Sequence, residues 1–468
     1  MCGYPLFFLL IGGGLFLFIR SGGVPVRRLS ASLKTLRQKK TADSSTSATD
    51  KTVDTNTGEI SSLHALLSVV AATVGLGNIA GVAIALVMGG PGAIFWMWIS
   101  AIVGMATKYH EGTLSIMYKG KDSEGNHRGG MMYIIEKGLG KRWRPMAVFF
   151  AFAGLFGTLC ILNANQLTEG FISTFSSPES IASNSFLSSV GKVSGLSNIS
   201  VFKTLFGLAV ALIVALVILR GIKSIARVSS ILVPFMVGVY FIMVLYIILT
   251  HLNALPSVIA SIFREAFNLR AGFGAFAGIA IIGARRAALV NDAGIGTASI
   301  MHGASNNTSP VKEGLVAMLG PAIDSGFVCT LTALALLLCG DFSNVEGVKG
   351  LEVAMRAFDT AIPGGGYLLM ALATVFALSS MFSYSYYGTS CAAYLFGRRN
   401  AKLYTWAFIA SLVVFAVVPV EAAVGMCDLF YALMALPTMI TLIALSGKVS
   451  KATKHFFNTK KYQPKENS

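Results

Sequence analysis

The residues able to do chemistry stand where an uninterrupted apolar helix would not put them. Within the apolar run 63–88 lies Ala71-Ala72-Thr73-Val74-Gly75-Leu76-Gly77-Asn78-Ile79-Ala80-Gly81. Each glycine costs a helix about 1 kcal/mol relative to alanine, and the Asn78 amide must find partners away from water. A helix opened here frees N–H and C=O groups that hydrocarbon cannot satisfy, so they must face protein, ion or ligand. The N–H groups of Gly75, Leu76 and Gly77, reinforced by the dipole of a half-helix, suit a carboxylate. Freed carbonyls suit a cation or an ammonium group. The adjacent hydroxyls of Ser379 and Ser380 offer two neutral oxygens of the kind a monovalent cation takes, or else bond back to their own preceding turn. A second glycine-rich run, 271–283, predicts another opened helix, with carbonyls near 274–278, including Gly278, available to an ammonium. Asp324 lies inside an apolar run, where a carboxylate is costly. Pairing, cation binding and proton carriage are all open to it.

These groups need elements that cross a bilayer. The chain has 468 residues, 54% hydrophobic and 12% charged, with a mean hydropathy of +0.69. This is an all-α polytopic membrane protein. Eleven transmembrane spans are expected, at 4–19, 63–88, 91–118, 146–170, 204–219, 228–250, 271–290, 311–339, 367–396, 403–420 and 424–446. The first lacks a basic leader and reads as a retained helix. Residues 41–59 read as a solvated, disordered linker, and 173–200 as an elaborated Ser-rich loop. The segment 256–269 reads as an amphipathic helix lying at the interface. Lys108, His110 and Glu111 fall near the inner end of the third span, where snorkelling and local pairing are expected. Arg285 and Arg286 read as anchors.

The net charge of +16 is a topology signal, not a sign of nucleic-acid binding. Of 37 Lys and Arg, all but Lys192, Lys203, Arg264, Arg270, Lys349 and Arg356 lie in one alternate set of loops and their flanking helix ends. By the positive-inside rule those loops are cytoplasmic, which places the N-terminus outside and the C-terminus inside a cell membrane. The expected organisation is an extra N-terminal helix (1–20), a cytoplasmic linker (21–62), two five-helix units (63–250 and 251–446) of opposite orientation, and a basic tail (447–468). Each unit opens with a glycine-interrupted helix. Such a 5+5 inverted repeat with broken first helices is the architecture of many secondary transporters.

The motifs then become specific. Residues 75–118, GLGNIAGVAIALVMGGPGAIFWMWISAIVGMATKYHEGTLSIMY, resemble the alanine or glycine:cation symporter family almost without gaps. Gly129-Gly130-Met131-Met132-Tyr133, Arg285-Arg286 through Asn291-Asp292-Ala293-Gly294, GLVAMLG at 314–320 and SSMFSYSYYG at 379–388 extend the likeness over nearly the whole chain. The resemblance implies a leucine-transporter-like fold that moves small neutral amino acids, such as alanine or glycine, with a cation, usually Na⁺. It also implies that the carbonyls of Ala71 and Val74 join Ser379 and Ser380 around that ion. Gly75, Leu76, Gly77, Asn78, Asn163, Gly278 and Tyr384 would then surround the substrate. The chain departs from the family pattern at Asn163 (usually Gln), Tyr384 (usually Trp), Thr389 (usually Glu), Asp292 (Glu) and Met131 (Pro).

The expected function is cation-coupled symport by alternating access. An H⁺-coupled carrier or exchanger and a non-transporting amino-acid receptor are the alternatives. No HExxH, Ser/His/Asp constellation or nucleotide loop points to an enzyme, and no cofactor is implied beyond the coupling ion. Six scattered histidines and six cysteines without CxxC spacing suggest neither a transition-metal site nor a disulfide framework.

Overall fold

Only a helix satisfies its own backbone in hydrocarbon, and the apolar runs of this chain become helices accordingly. The computed structural model describes residues 3–43, 60–121, 125, 127–175, 181, 183–267, 273–340 and 350–462. Among these, seven helices are long and apolar enough to cross a membrane, or eight if the bent pair Ser62–Thr73 and Leu76–Gly89 counts as one span. The other predicted spans, 4–19, 91–118 and 271–290, are also helical, as Gly3–Arg20, Gly92–Met117 and Phe273–Val290, but they lie outside that set. Among the described residues, strand structure consists of one antiparallel hairpin, Gly120–Lys121 with His127–Arg128, and one isolated parallel bridge, Ile60 to Ser305.

Several connections are more ordered than their composition suggests. Leu29–Asp43 is a helix docked through the Ser32 hydroxyl, which donates to the Leu315 carbonyl. The remainder of the expected linker, 44–59, lies outside the described residues. Much of the Ser-rich stretch 173–200 is helical rather than loop. Asn184 caps a helix over Ser185–Ser194, its side chain accepting from the N–H groups of Phe186 and Leu187, so a polar cluster marks a helix start here. The last helix runs from Val420 to Tyr462, carrying the expected tail on as helix. Leu255–Ala266 forms the expected amphipathic helix.

Four interruptions shape the interior. The first opens the chain between Ser62–Thr73 and Leu76–Gly89, with a bend of 47°. The predicted fourth span divides into Arg144–Gly157 and Ile161–Phe175, with Cys160 at φ +53°. The predicted eighth span passes through a π-helical turn at Ala322–Val328, which contains Asp324. The predicted seventh span departs from expectation. Phe273–Val290 is continuous through Gly278, and the chain opens instead at 291–296, before the helix Thr297–Gly303. Asp292, Gly294 and Gly296 all have positive φ there. The sequence Asn-Asp-Ala-Gly-Ile-Gly is a turn by chemistry, whereas Gly283, among the earlier glycines, serves close packing. A Cβ on Gly283 would collide with the Ala93 carbonyl.

The charged cluster near the end of Gly92–Met117 also departs from expectation. Lys108, His110 and Glu111 are all buried, so they do not snorkel. This helix is packed by Phe273–Val290, Thr297–Gly303 and Pro310–Ala317, which close over its polar residues.

Candidate functional site

The first break brings the later serines to it. The hydroxyls of Ser379 and Ser380 each donate to the Ala71 carbonyl at 3.1 Å, across more than 300 residues of sequence. Each also reaches the Phe376 carbonyl of its own helix, at 2.9 and 3.1 Å. Placing the protons on Phe376 leaves the serine lone pairs and the Ala71 oxygen facing one another, an all-oxygen, neutral cluster of the kind Na⁺ accepts. Val74 closes the first half-helix, its N–H donating to the Val70 carbonyl at 2.7 Å. A Cβ on Gly75 would approach the Ser380 hydroxyl at 3.1 Å, so the two sides of the break are in direct register.

At the start of the second half-helix, the three N–H groups expected to be free are unequal. Gly75 donates to the Asn78 side-chain oxygen at 2.8 Å. Leu76 and Gly77 occupy the first two helical positions, whose N–H groups have no acceptor within a helix. Theirs are the two N–H groups at this helix start for which the helix itself offers no acceptor. Asn78 is fully buried, caps Gly75 with its oxygen, and donates through its nitrogen to Asp324. Both ends of the Asn78 amide are therefore engaged within the break and with Asp324. Asp324 is thereby paired, with its second oxygen lacking a hydrogen-bond partner among the described residues. Beside Gly77 and Gly81, positions for a Cβ lie 3.5 Å from Val290, the last residue before the second break. The two interruptions face one another.

The remaining expected residues separate. Asn163 is partly exposed at the start of Ile161–Phe175, just beyond the Cys160 turn. Tyr384 is buried, and its hydroxyl donates to Asp292 and lies 2.8 Å from the Tyr431 hydroxyl. It braces the second break rather than presenting its hydroxyl to the first. Gly278 lies within intact helix and a Cβ there would meet no atom within 4 Å, so its carbonyl is not released by an opening at that position. Thr389 bonds back to Ser385 at 2.7 Å.

Two clusters escaped the sequence reading. In the first, Glu111 accepts from the Gly294 N–H at 2.8 Å, tying Gly92–Met117 to the second break. Its other oxygen, the Lys108 ammonium and the Asn291 amide nitrogen are buried without hydrogen-bond partners among the described residues.

The second cluster is centred on Glu313, which is fully buried. It accepts from Ser62 at 2.6 Å, from Ser305 at 3.1 Å and from Asn307 at 3.1 Å, and lies 2.7 Å from His302. These bonds tie the first residue of the Ser62–Thr73 half-helix to the segment that follows the second break. Neither cluster shows in the sequence beyond the presence of polar residues in apolar surroundings, because their partners come from distant segments.

Known proteins share this chain's pattern along its length. The family model for the sodium:alanine symporter family matches residues 1–468. The chain is 38% identical to the sodium/alanine symporter AgcS of Methanococcus maripaludis, over 98% of this chain and 95% of that protein. It is 32% identical to the amino-acid carrier protein AlsT of Bacillus subtilis, over 97% and 90% respectively. The crystal structure of MhsT in complex with L-phenylalanine aligns at a TM-score of 0.44 and 15% identity, covering 85% of this chain and 99% of that one. With a family match along its entire length and extensive identity to these relatives, the chain belongs to the sodium:alanine symporter family.

Proposed function

We propose that this protein is a secondary active transporter that couples the movement of a small neutral amino acid, such as alanine or glycine, to Na⁺ by alternating access. The observation that carries this reading is the convergence of Ser379 and Ser380 on the Ala71 carbonyl, beside the helix start at Leu76 and Gly77. In this reading Ala71, Val74, Ser379 and Ser380 supply oxygens to Na⁺. The Leu76 and Gly77 N–H groups hold the substrate carboxylate, and Asn163 contributes to the side-chain pocket. The ammonium takes carbonyls released at 291–296. Eleven spans in the order extra helix, five, and inverted five accommodate both broken helices, and the cation distribution supports an external N-terminus.

The test is uptake of a panel of labelled D- and L-amino acids into proteoliposomes, with Na⁺ or with choline in its place. Uptake of alanine or glycine that requires Na⁺ is the expected result. Uptake unaffected by choline but driven by a pH gradient would replace Na⁺ with H⁺. That second reading is favoured by the buried Asp324, one oxygen of which has no hydrogen-bond partner among the described residues. Binding without counterflow would sink both and leave a receptor.

A further inference from the structure

A cavity of about 440 Å³ is lined by none of the residues that form the two helix breaks. Five cations line it: Arg128, Arg220, Lys223, Arg398 and Lys402. They arrive from three separate parts of the chain. Arg128 comes from the hairpin strand His127–Arg128, Arg220 and Lys223 from the junction between Asn198–Ile218 and Ile222–Thr250, and Arg398 and Lys402 from the start of Arg398–Val417. Among the described residues, no Asp or Glu lines it, whereas Thr389, Ser390 and Thr405 contribute hydroxyls.

All five cations belong to the loops that the charge distribution assigns to the cytoplasmic face, and a positive-inside belt accounts for that placement. It does not account for their convergence on one concavity, because like charges brought together repel and a belt lowers its energy by spreading around the perimeter. Concave walls also focus the field and draw in counter-ions. Guanidinium forks, ammonium groups and hydroxyls together are the donor set for phosphoryl oxygens. Basic pockets between helices at a membrane's inner surface are suited to anionic lipid headgroups.

We propose that this cavity binds an anionic phosphoryl group, as found in an anionic phospholipid headgroup or a soluble phosphate compound, at a site separate from the transport site. The full-length protein tests this. Its melting temperature is followed in neutral detergent while phosphatidylglycerol is titrated in one arm and pyrophosphate in the other. Two variants accompany the wild type. One carries Arg220→Gln, Lys223→Gln and Lys402→Gln in the cavity. The other removes an equal charge outside it, with Arg142→Gln, Lys451→Gln and Lys454→Gln, all exposed positions. The expected result is saturable stabilisation of the wild type and of the outside variant, with apparent affinity falling about a hundredfold in the cavity variant. Such stabilisation in the first arm alone assigns the phosphoryl group to lipid, and in the second alone to a soluble compound. In both arms it shows a site that accepts either. Equal loss in both variants, or no saturable stabilisation of the wild type by either probe, overturns the proposal. Should the cavity variant fail to fold, Lys402→Gln alone is compared with Lys451→Gln, and equal affinities for the two would overturn it equally.

Discussion

At the scale of residues, the first break assigns neighbouring glycines different work. Gly75 faces the Ser380 hydroxyl, 3.1 Å from a Cβ position, whereas Gly77 faces Val290 at an ordinary 3.5 Å. Gly75→Ala is therefore expected to raise the Na⁺ concentration for half-maximal uptake. Gly77→Ala should fold normally and weaken substrate binding, because its methyl stands beside the N–H groups proposed for the carboxylate. Na⁺ titration of uptake and substrate binding at saturating Na⁺ separate the two; identical defects in both assays would refute the division. Replacing Ser379 and Ser380 together by Ala removes two proposed ligands at roughly 1–3 kcal/mol each. The Na⁺ requirement should rise by about tenfold or more, and an unchanged requirement in a well-expressed variant would move the coupling ion elsewhere.

At the scale of elements, the location of the second opening is the quantity to test. Gly278 sits in continuous helix with no atom within 4 Å of a Cβ position, whereas Gly296 has φ +96° and a Cβ there would lie 2.6 Å from the Thr438 hydroxyl. Gly278→Ala should leave melting unchanged or raise stability by about 0.5–1 kcal/mol, since alanine is the better helix former. Gly296→Ala should lower the melting temperature through both backbone strain and overlap. If Gly278→Ala instead abolishes uptake while melting like the wild type, the opening at 274–278 expected from the glycines would have to be reinstated in another state of the transport cycle. The bond from the Gly294 N–H to Glu111 gives this second break a fixed partner in Gly92–Met117, so movement of one is coupled to movement of the other.

At the scale of the whole molecule, the charge distribution predicts which face each loop occupies. Ser189 lies in the Ser185–Ser194 helix and Lys121 in the hairpin, and both are exposed. In a background without native cysteines, Ser189→Cys should react with an impermeant maleimide added outside intact cells, and Lys121→Cys only after the membrane is opened. Reversed labelling would invert the orientation and remove the positive-inside argument.

The residues by themselves determined where the long apolar helices form and where the first one fails, because apolar length, glycine spacing and the need to satisfy a backbone in hydrocarbon are local properties. They also marked Ser379 and Ser380 as paired oxygen donors. Tertiary structure decided who meets whom. Asn78 finds Asp324 across 246 positions of sequence, Tyr384 finds Asp292 across 92, and the serines find Ala71 across 308 and 309. The second break lies at the turn 291–296 and not within the described part of the glycine-rich run, 273–283, because a glycine can sit in intact helix as well as in an opened backbone. Its neighbours choose between those uses: Ala93 crowds Gly283, while Phe150 and Thr438 crowd Gly296 at positive φ. Burial of Lys108 was likewise illegible. A cation near a helix end snorkels unless other helices close over it, and the helices packed on Gly92–Met117 include segments distant in sequence, such as Phe273–Val290 and Pro310–Ala317.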